Sequence, residues 1–193
     1  MDNQNIILFQ KAYYVLIISQ LFGSLLLYHL TLNINTLEKF TRITFQVNVL
    51  NIIYNIYRLL IIYDIVIPID LSYIVSILIN LNMVVSVGYH LYKKMVCNAK
   101  YLYFVNFDAI ILHLYNLIFI CIELVFYDYK VCYLYSNLIL SIILYIAWAP
   151  LYYIYNRWNY NVDLHSVIGI IYLLGIYVCH IITIYFMSNM IKN

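Results

Sequence analysis

Two side chains in apolar surroundings could together perform nucleophilic chemistry: the hydroxyl of Thr44 and the imidazole of His113. A threonine hydroxyl is a poor nucleophile unless an adjacent base takes its proton. Histidine suits that role near neutral pH. If the fold brings the two together, the pair could transfer an acyl group, with the threonine oxygen as nucleophile and the imidazole as general base.

Thr44 begins a polar stripe in the segment TFQVNVLNIIYNIYRLLIIY (44–63). Its members recur every three or four residues, which places them on one face of an α-helix. In a membrane that face must turn toward other helices or toward a wet cavity. Hydrogen bonding between neighbouring helices would explain the same pattern without any chemistry. The stripe consists of Thr44, Asn48, Asn51, Asn55 and Arg58.

His113 belongs to a second polar stripe, which Asn106, Asn116 and Glu123 share, whereas Asp108 lies on roughly the opposite side. Ionisable residues inside membrane segments are costly and tend to be functional or paired. The sequence therefore predicts that this stripe faces other helices rather than lipid.

Glu123 follows His113 by ten residues. That spacing corresponds to a rise of about 15 Å along a helix, which is too far for the two groups to share a proton. We therefore expect Glu123 to have a structural role, as the partner of Arg58 or of Lys130.

The composition determines the class of protein in which these residues act. The chain has 193 residues, of which 66% are hydrophobic and 9% charged, and its net charge is +2. Its mean hydropathy is +0.90. A soluble domain carries about 25% charged residues, so this sequence indicates an integral membrane protein. The small net charge gives no reason to expect a nucleic-acid partner.

No metal or other cofactor is expected. The four cysteines have no metal-ligand spacing, and the sequence lacks a histidine box, an H-E-x-x-H motif and a Gly-rich phosphate loop. The G-x-S-x-G elbow of soluble hydrolases is also absent. The cysteines are Cys97, Cys121, Cys132 and Cys179.

Six apolar segments are long enough to cross about 30 Å of hydrocarbon as helices. We therefore predict an all-α fold, a single domain over 1–193 that forms an integral membrane bundle of six transmembrane helices. Two crossings separate the second span from the fourth, so these spans should run parallel, with Thr44 and His113 in the same half of the membrane. The predicted spans are about 12–31, 43–63, 69–92, 103–126, 132–154 and 165–187.

The distribution of basic residues predicts an orientation. The first, third and fifth gaps between spans contain six Lys and Arg residues, against three on the opposite side. The excess of positive charge favours a cytoplasmic location for those three gaps. The home membrane is expected to be an endomembrane, such as the endoplasmic reticulum, or the plasma membrane.

Three segments resemble the androgen-induced and androgen-dependent TFPI-regulating family of multi-pass membrane hydrolases. EKFTRITFQVNVLN (38–51) is similar to the family's threonine-containing entrance to the second helix, and Thr44 matches the threonine. HLYNLIFICIEL (113–124) keeps the family's spacing of ten between histidine and glutamate. YIAWAPLYYIYNRWNYNVD (145–163) resembles the tryptophan-rich end of helix five, which includes Trp158.

This resemblance implies a threonine hydrolase that cleaves fatty acid esters of hydroxy fatty acids, with Thr44 as nucleophile and His113 as base. The lipid ester would come from the bilayer. Asn48, Asn116 and Arg157 are the candidates for oxyanion or pocket residues, and Glu123 and Trp158 are expected to be structural. The oligomeric state is left open.

The chain departs from the family pattern next to the histidine, where Leu114 and Ile118 replace a threonine and a proline. These changes leave the substrate undefined. They also keep open a non-catalytic membrane scaffold of the same fold. A small polar-solute carrier, lined by the asparagine stripe, is a third possibility, although the sequence has no internal repeat.

Overall fold

The computed structural model describes residues 3–31, 43–95, 113–126 and 166–190, and in this part of the chain all regular structure is helical. The all-α prediction is confirmed for these residues. The helices are α1 (Asn3–Thr31), α2 (Ile43–Ile62), α3 (Ser72–Met95), α4 (Tyr115–Phe126) and α5 (Val167–Met190).

Three of these helices are long and apolar enough to cross a membrane, over Asn5–Leu26, Thr44–Ile62 and Ser72–Leu91. Shorter apolar stretches occupy Tyr115–Leu124 of α4 and Val167–Ile182 of α5. The helices α1, α2, α3, α4 and α5 correspond to the first, second, third, fourth and sixth predicted spans. The predicted span 132–154 and the first part of the span 103–126 lie outside the described residues.

Helix α1 begins at Asn3, nine residues before the predicted start of the first span. The segment NQNIILFQK contains no glycine or proline to end a helix, so helical structure continues beyond the most apolar stretch. Helix α3 begins at Ser72, slightly after the predicted position 69. Pro68 and Asp70 explain this later start, because the Asp70 carboxylate accepts a hydrogen bond from the Ser72 amide (2.9 Å) and caps the helix there.

Helix α3 lies at the centre of the described bundle and packs against α2, α4 and α5, while α1 packs against α2. Its membrane-length window is 61% buried, compared with 17% for that of α1. A large buried cluster joins α3 to α2 and α4 and comprises Tyr54, Leu71, Val75, Leu78, Ile79 and Ile120. A second cluster comprises Val47, Leu81, Val84 and Val85, with Ile176 of α5 packed against it.

The turn between α2 and α3 is fixed by hydrogen bonds at the end of α2. The amides of Asp64 and Ile65 donate to the carbonyls of Ile61 and Leu60, both at 3.0 Å. This is the Schellman pattern, which requires a left-handed residue just after the helix. Asp64 takes that conformation, with φ 55°. Aspartate tolerates it better than most side chains, so no glycine is needed at this turn.

Large apolar side chains cover the outer faces of the helices. Leu8 and Phe9 of α1 are about two-thirds exposed, and Val167 and Leu174 of α5 are more than half exposed. Water would disfavour so many contiguous apolar side chains, whereas lipid would not. The surface therefore agrees with the composition in indicating a membrane protein.

Candidate functional site

The polar stripe of α2 faces the interior, as its periodicity predicts. Thr44, Asn48, Asn51 and Asn55 are each no more than 5% exposed. Each asparagine amide donates to the carbonyl one turn earlier, at 2.7 to 2.8 Å. These hydrogen bonds form within α2, so the helix itself satisfies part of the hydrogen-bonding capacity of the asparagine side chains.

Two of these asparagines also bind neighbouring helices. Asn51 and Asn82 of α3 exchange a pair of hydrogen bonds of 2.9 and 3.0 Å between their side chains. The Asn116 amide of α4 donates to the Asn48 side-chain oxygen at 2.5 Å. Helix-to-helix hydrogen bonding, which the sequence left open as an explanation of the stripe, therefore accounts for both residues.

The contacts between α2 and α4 define the register of the two helices. Asn48 and Asn116 are 68 residues apart in the sequence, and Tyr54 and Glu123, which also hydrogen-bond, are 69 apart. A nearly constant separation means that the helices run parallel, as predicted. Thr44 is one turn before Asn48, and His113 is three residues before Asn116. The register thus brings Thr44 and His113 to the same level of the bundle.

Both proposed reactive groups are buried at this level, with Thr44 2% and His113 5% exposed. His113 and Leu114 form a π-type turn that leads into α4. Such turns are rare and occur often at functional sites. The His113 imidazole stacks on the ring of Tyr89 from α3, with ring centroids 3.7 Å apart and planes inclined by 29°. Three helices therefore converge here.

Glu123 lies at the other end of α2, in a buried cluster of charged and phenolic groups. Tyr14 donates to its Oε1 at 2.6 Å, and Tyr54 donates to its Oε2 at 2.9 Å. The Arg58 Nε lies 3.8 Å from Oε2 and donates to the Tyr14 hydroxyl at 3.1 Å. The structure thus pairs Glu123 with Arg58, one of the two cations expected from the sequence, and satisfies both carboxylate oxygens.

This Glu123 cluster is distant from the Thr44 level. Tyr54, whose hydroxyl bonds Glu123, follows Thr44 by ten residues in one continuous helix, which corresponds to about 15 Å of rise. Glu123 therefore cannot act as an acid or base beside Thr44. Its arrangement is that of a group that ties α1, α2 and α4 together.

The other site residues predicted from the sequence are the oxyanion or pocket candidates and Trp158. Asn48 and Asn116 each use one of the two N–H groups of their amide in the contacts above, so each amide can still offer one donor to an oxyanion. Arg157 and Trp158 lie outside the described residues. Within the described part of the chain, no group of three or more His, Cys, Asp or Glu residues could hold a metal ion.

Sequence reasoning missed three tyrosines: Tyr14, Tyr54 and Tyr89. The chain contains 24 tyrosines, so none of them stands out by residue type. Tyr54 precedes Arg58 by one turn, and this spacing was the one available signal. Tyr14 and Tyr89 come from other helices, and only the packing of those helices identifies them.

Comparison with known protein families, with curated proteins and with solved structures finds no match to this chain. The resemblance to the TFPI-regulating hydrolases therefore rests on the residues of this sequence alone.

Proposed function

We propose that the protein is a membrane-embedded hydrolase of lipid esters, with Thr44 as nucleophile and His113 as general base. The observation that carries the proposal is the Asn116–Asn48 hydrogen bond of 2.5 Å, which joins α2 and α4 about one turn from both residues. A buried hydroxyl and a buried imidazole at one level of two parallel helices support proton transfer between them.

In the proposed reaction, the Thr44 oxygen attacks the ester carbonyl while His113 accepts the hydroxyl proton. The tetrahedral intermediate collapses, and His113 returns the proton to the departing alkoxide, which leaves as an alcohol. The acyl group remains on Thr44 as an ester. Water, deprotonated by His113, then attacks this ester and releases the fatty acid and the free Thr44 hydroxyl.

The oxyanion of each tetrahedral intermediate needs hydrogen-bond donors. The second N–H of Asn48 or of Asn116 could supply one, because both amides lie within about one turn of the reactive pair. Arg157 is the further candidate from the sequence. No cofactor takes part in this scheme.

We place the reaction in a bundle of six transmembrane helices, within an endomembrane such as the endoplasmic reticulum or within the plasma membrane. The apolar outer faces of α1 and α5 support direct contact with acyl chains. A substrate such as a fatty acid ester of a hydroxy fatty acid could then reach the site sideways from the bilayer.

The test is covalent labelling of the purified protein in detergent or liposomes with a fluorophosphonate probe, together with hydrolysis of lipid esters. We expect the probe to modify Thr44, as identified by peptide mass spectrometry. Thr44→Ala should abolish labelling, and His113→Gln should slow hydrolysis by at least about 100-fold. Ser19→Ala is the matched control, since that exposed hydroxyl on α1 donates to the nearby Val15 carbonyl within its own helix. Hydrolysis that survives Thr44→Ala would refute the proposal.

A non-catalytic scaffold of the same fold is the second candidate function. The reciprocal Asn51–Asn82 bonds favour it, because they use the polar stripe to join helices. A scaffold predicts that the wild-type protein inserts correctly, is not labelled, and tolerates His113→Ala without loss of function. The labelling experiment therefore separates the two candidates.

A further inference from the structure

An aromatic stack joins the proposed base His113 to α3. The Tyr89 and His113 ring centroids are 3.7 Å apart and their planes are inclined by 29°. At this distance the two faces are in van der Waals contact. The imidazole therefore cannot turn out of its plane without displacing the phenol ring.

Tyr89 is presented by a well-anchored part of α3. Its ring and that of His90 pack edge to face, with centroids 5.7 Å apart and planes at 86°. The His90 Nδ1 lies 2.6 Å from the Ser86 carbonyl. Two turns earlier in α3, the double hydrogen bond between Asn82 and Asn51 joins α3 to α2, the helix that carries Thr44. The stack thus links the orientation of the imidazole to the position of the nucleophile's helix.

The stack also has an electrostatic consequence. A general base becomes a cation when it accepts a proton, so His113 would carry positive charge in the transition state of each proposed step. The face of an aromatic ring is negative and attracts a cation. Contact with the Tyr89 face would therefore stabilise the imidazolium more than the neutral imidazole, which lowers the barrier to proton transfer.

We infer that Tyr89 is a positioning residue, which holds the plane of the His113 imidazole and favours its protonated form during the reaction. This inference rests on the proposed function, because it assigns Tyr89 a role only if His113 is the base. The part of Tyr89 that matters is the ring face.

The test compares Tyr89→Leu with Tyr89→Phe in detergent-solubilised full-length protein, using one lipid ester that the wild type hydrolyses. We expect Tyr89→Leu to lower kcat about 3- to 10-fold and to leave KM within about twofold. Tyr89→Phe, which keeps the ring face, should recover most of the lost rate. Tyr177→Leu is the matched control, since this half-exposed tyrosine lies on α5.

Nuclear magnetic resonance of the protein labelled at its five histidines adds a readout that is independent of activity. The His113 ring signal, assigned by its loss in His113→Gln, should show a ring-current shift that disappears in Tyr89→Leu and remains in Tyr89→Phe. This measurement shows whether the stack forms and whether the variants keep a folded site.

The outcomes separate the two hypotheses. Wild-type hydrolysis with an unchanged kcat in Tyr89→Leu, or an equal loss in Tyr89→Phe, would overturn the role of Tyr89 alone. A rise in KM at constant kcat would also overturn it, because it would indicate a substrate contact. If wild type hydrolyses no ester and Thr44 is not labelled, the proposed function fails, and the role of Tyr89 fails with it.

Discussion

Removal of the Glu123 carboxylate should destabilise the protein strongly, because the group is buried and bonded to three side chains. Glu123 is 2% exposed, and it accepts hydrogen bonds from Tyr14 and Tyr54 at 2.6 and 2.9 Å. The Arg58 guanidinium, whose side chain is 12% exposed, lies 3.8 Å away. Glu123→Ala therefore removes the carboxylate that the part-buried Arg58 faces and the acceptor of two buried tyrosine hydroxyls.

Loss of one partner of a buried ion pair costs about 3–5 kcal/mol, mostly because the other charge remains buried. For a chain of this size, each kcal/mol lowers the unfolding temperature by about 2–4 °C. We thus expect a fall of roughly 6–20 °C for Glu123→Ala. Glu123→Gln should fall between wild type and Glu123→Ala, since its amide oxygen can still accept one tyrosine hydrogen bond.

The assay is thermal unfolding in detergent micelles, followed by circular dichroism and supported by titration with a denaturing detergent. Asp64→Asn is the control, because it removes an exposed carboxylate and asparagine also tolerates the left-handed backbone at that position. It should change the free energy of unfolding by less than about 0.5 kcal/mol. A loss below about 1 kcal/mol for Glu123→Ala would refute the reasoning.

A double substitution tests the cause of the loss. Arg58→Leu combined with Glu123→Leu removes both charges of the pair, so no cation is left facing an apolar position. Replacement of a buried ion pair by apolar side chains is often neutral or stabilising. The double variant should therefore be more stable than Glu123→Ala. If it is equally unstable, the tyrosine hydrogen bonds rather than the charge of Arg58 carry the effect.

Three further substitutions test contacts elsewhere in the bundle. Asn51→Ala and Asn82→Ala should each lower the free energy of unfolding by about 1–3 kcal/mol, because each leaves a buried amide without its partner. A double-mutant cycle in denaturing detergent should give a coupling energy of about 1–2 kcal/mol. Additive losses would contradict the reciprocal hydrogen bond. Ser166→Ala should lower the free energy of unfolding by about 1 kcal/mol, because the Ser166 hydroxyl caps α5 by accepting a hydrogen bond from the Gly169 amide at 3.0 Å. Thermal unfolding measures the loss, and Ser19→Ala is the control that should show none. No loss for Ser166→Ala would argue against the cap.

The helices and their inward faces could be predicted from the sequence because lipid imposes simple rules. A polar group in hydrocarbon must turn inward, so the stripe from Thr44 to Arg58 identified the buried face of α2 without any knowledge of its neighbours. The count of crossings predicted that α2 and α4 run parallel. Charge balance likewise reduced the partners of Glu123 to two cations, of which Arg58 is the one in contact.

The partners of the stripe could not be predicted, because they depend on the relative rotation and height of separate helices. Periodicity shows which way Asn48 and Asn51 point but not that one meets Asn116 and the other Asn82. A shift of α3 by one turn, about 5.4 Å, would place Leu78 or Ser86 rather than Asn82 opposite Asn51. Tyr89 was missed for the same reason, since its contact with His113 depends on the height of α3.

The two ends of the α2 stripe differ in a way that separates stability from chemistry. At Glu123, the carboxylate lies beside the Arg58 guanidinium, and two tyrosine hydroxyls bond its two oxygens. These contacts stabilise the charged carboxylate. At the Thr44 level, the His113 imidazole stacks on the ring of Tyr89, whose face could support a new positive charge. About 15 Å of helix separates Thr44 from Tyr54, which bonds Glu123. Substitutions at Glu123 should therefore lower the fraction of folded protein without changing kcat per folded molecule. Substitutions at Tyr89 should lower kcat per folded molecule without changing the fraction of folded protein. Measurement of the folded fraction and of kcat for variants at both residues would show whether the two ends of the α2 stripe have separate roles.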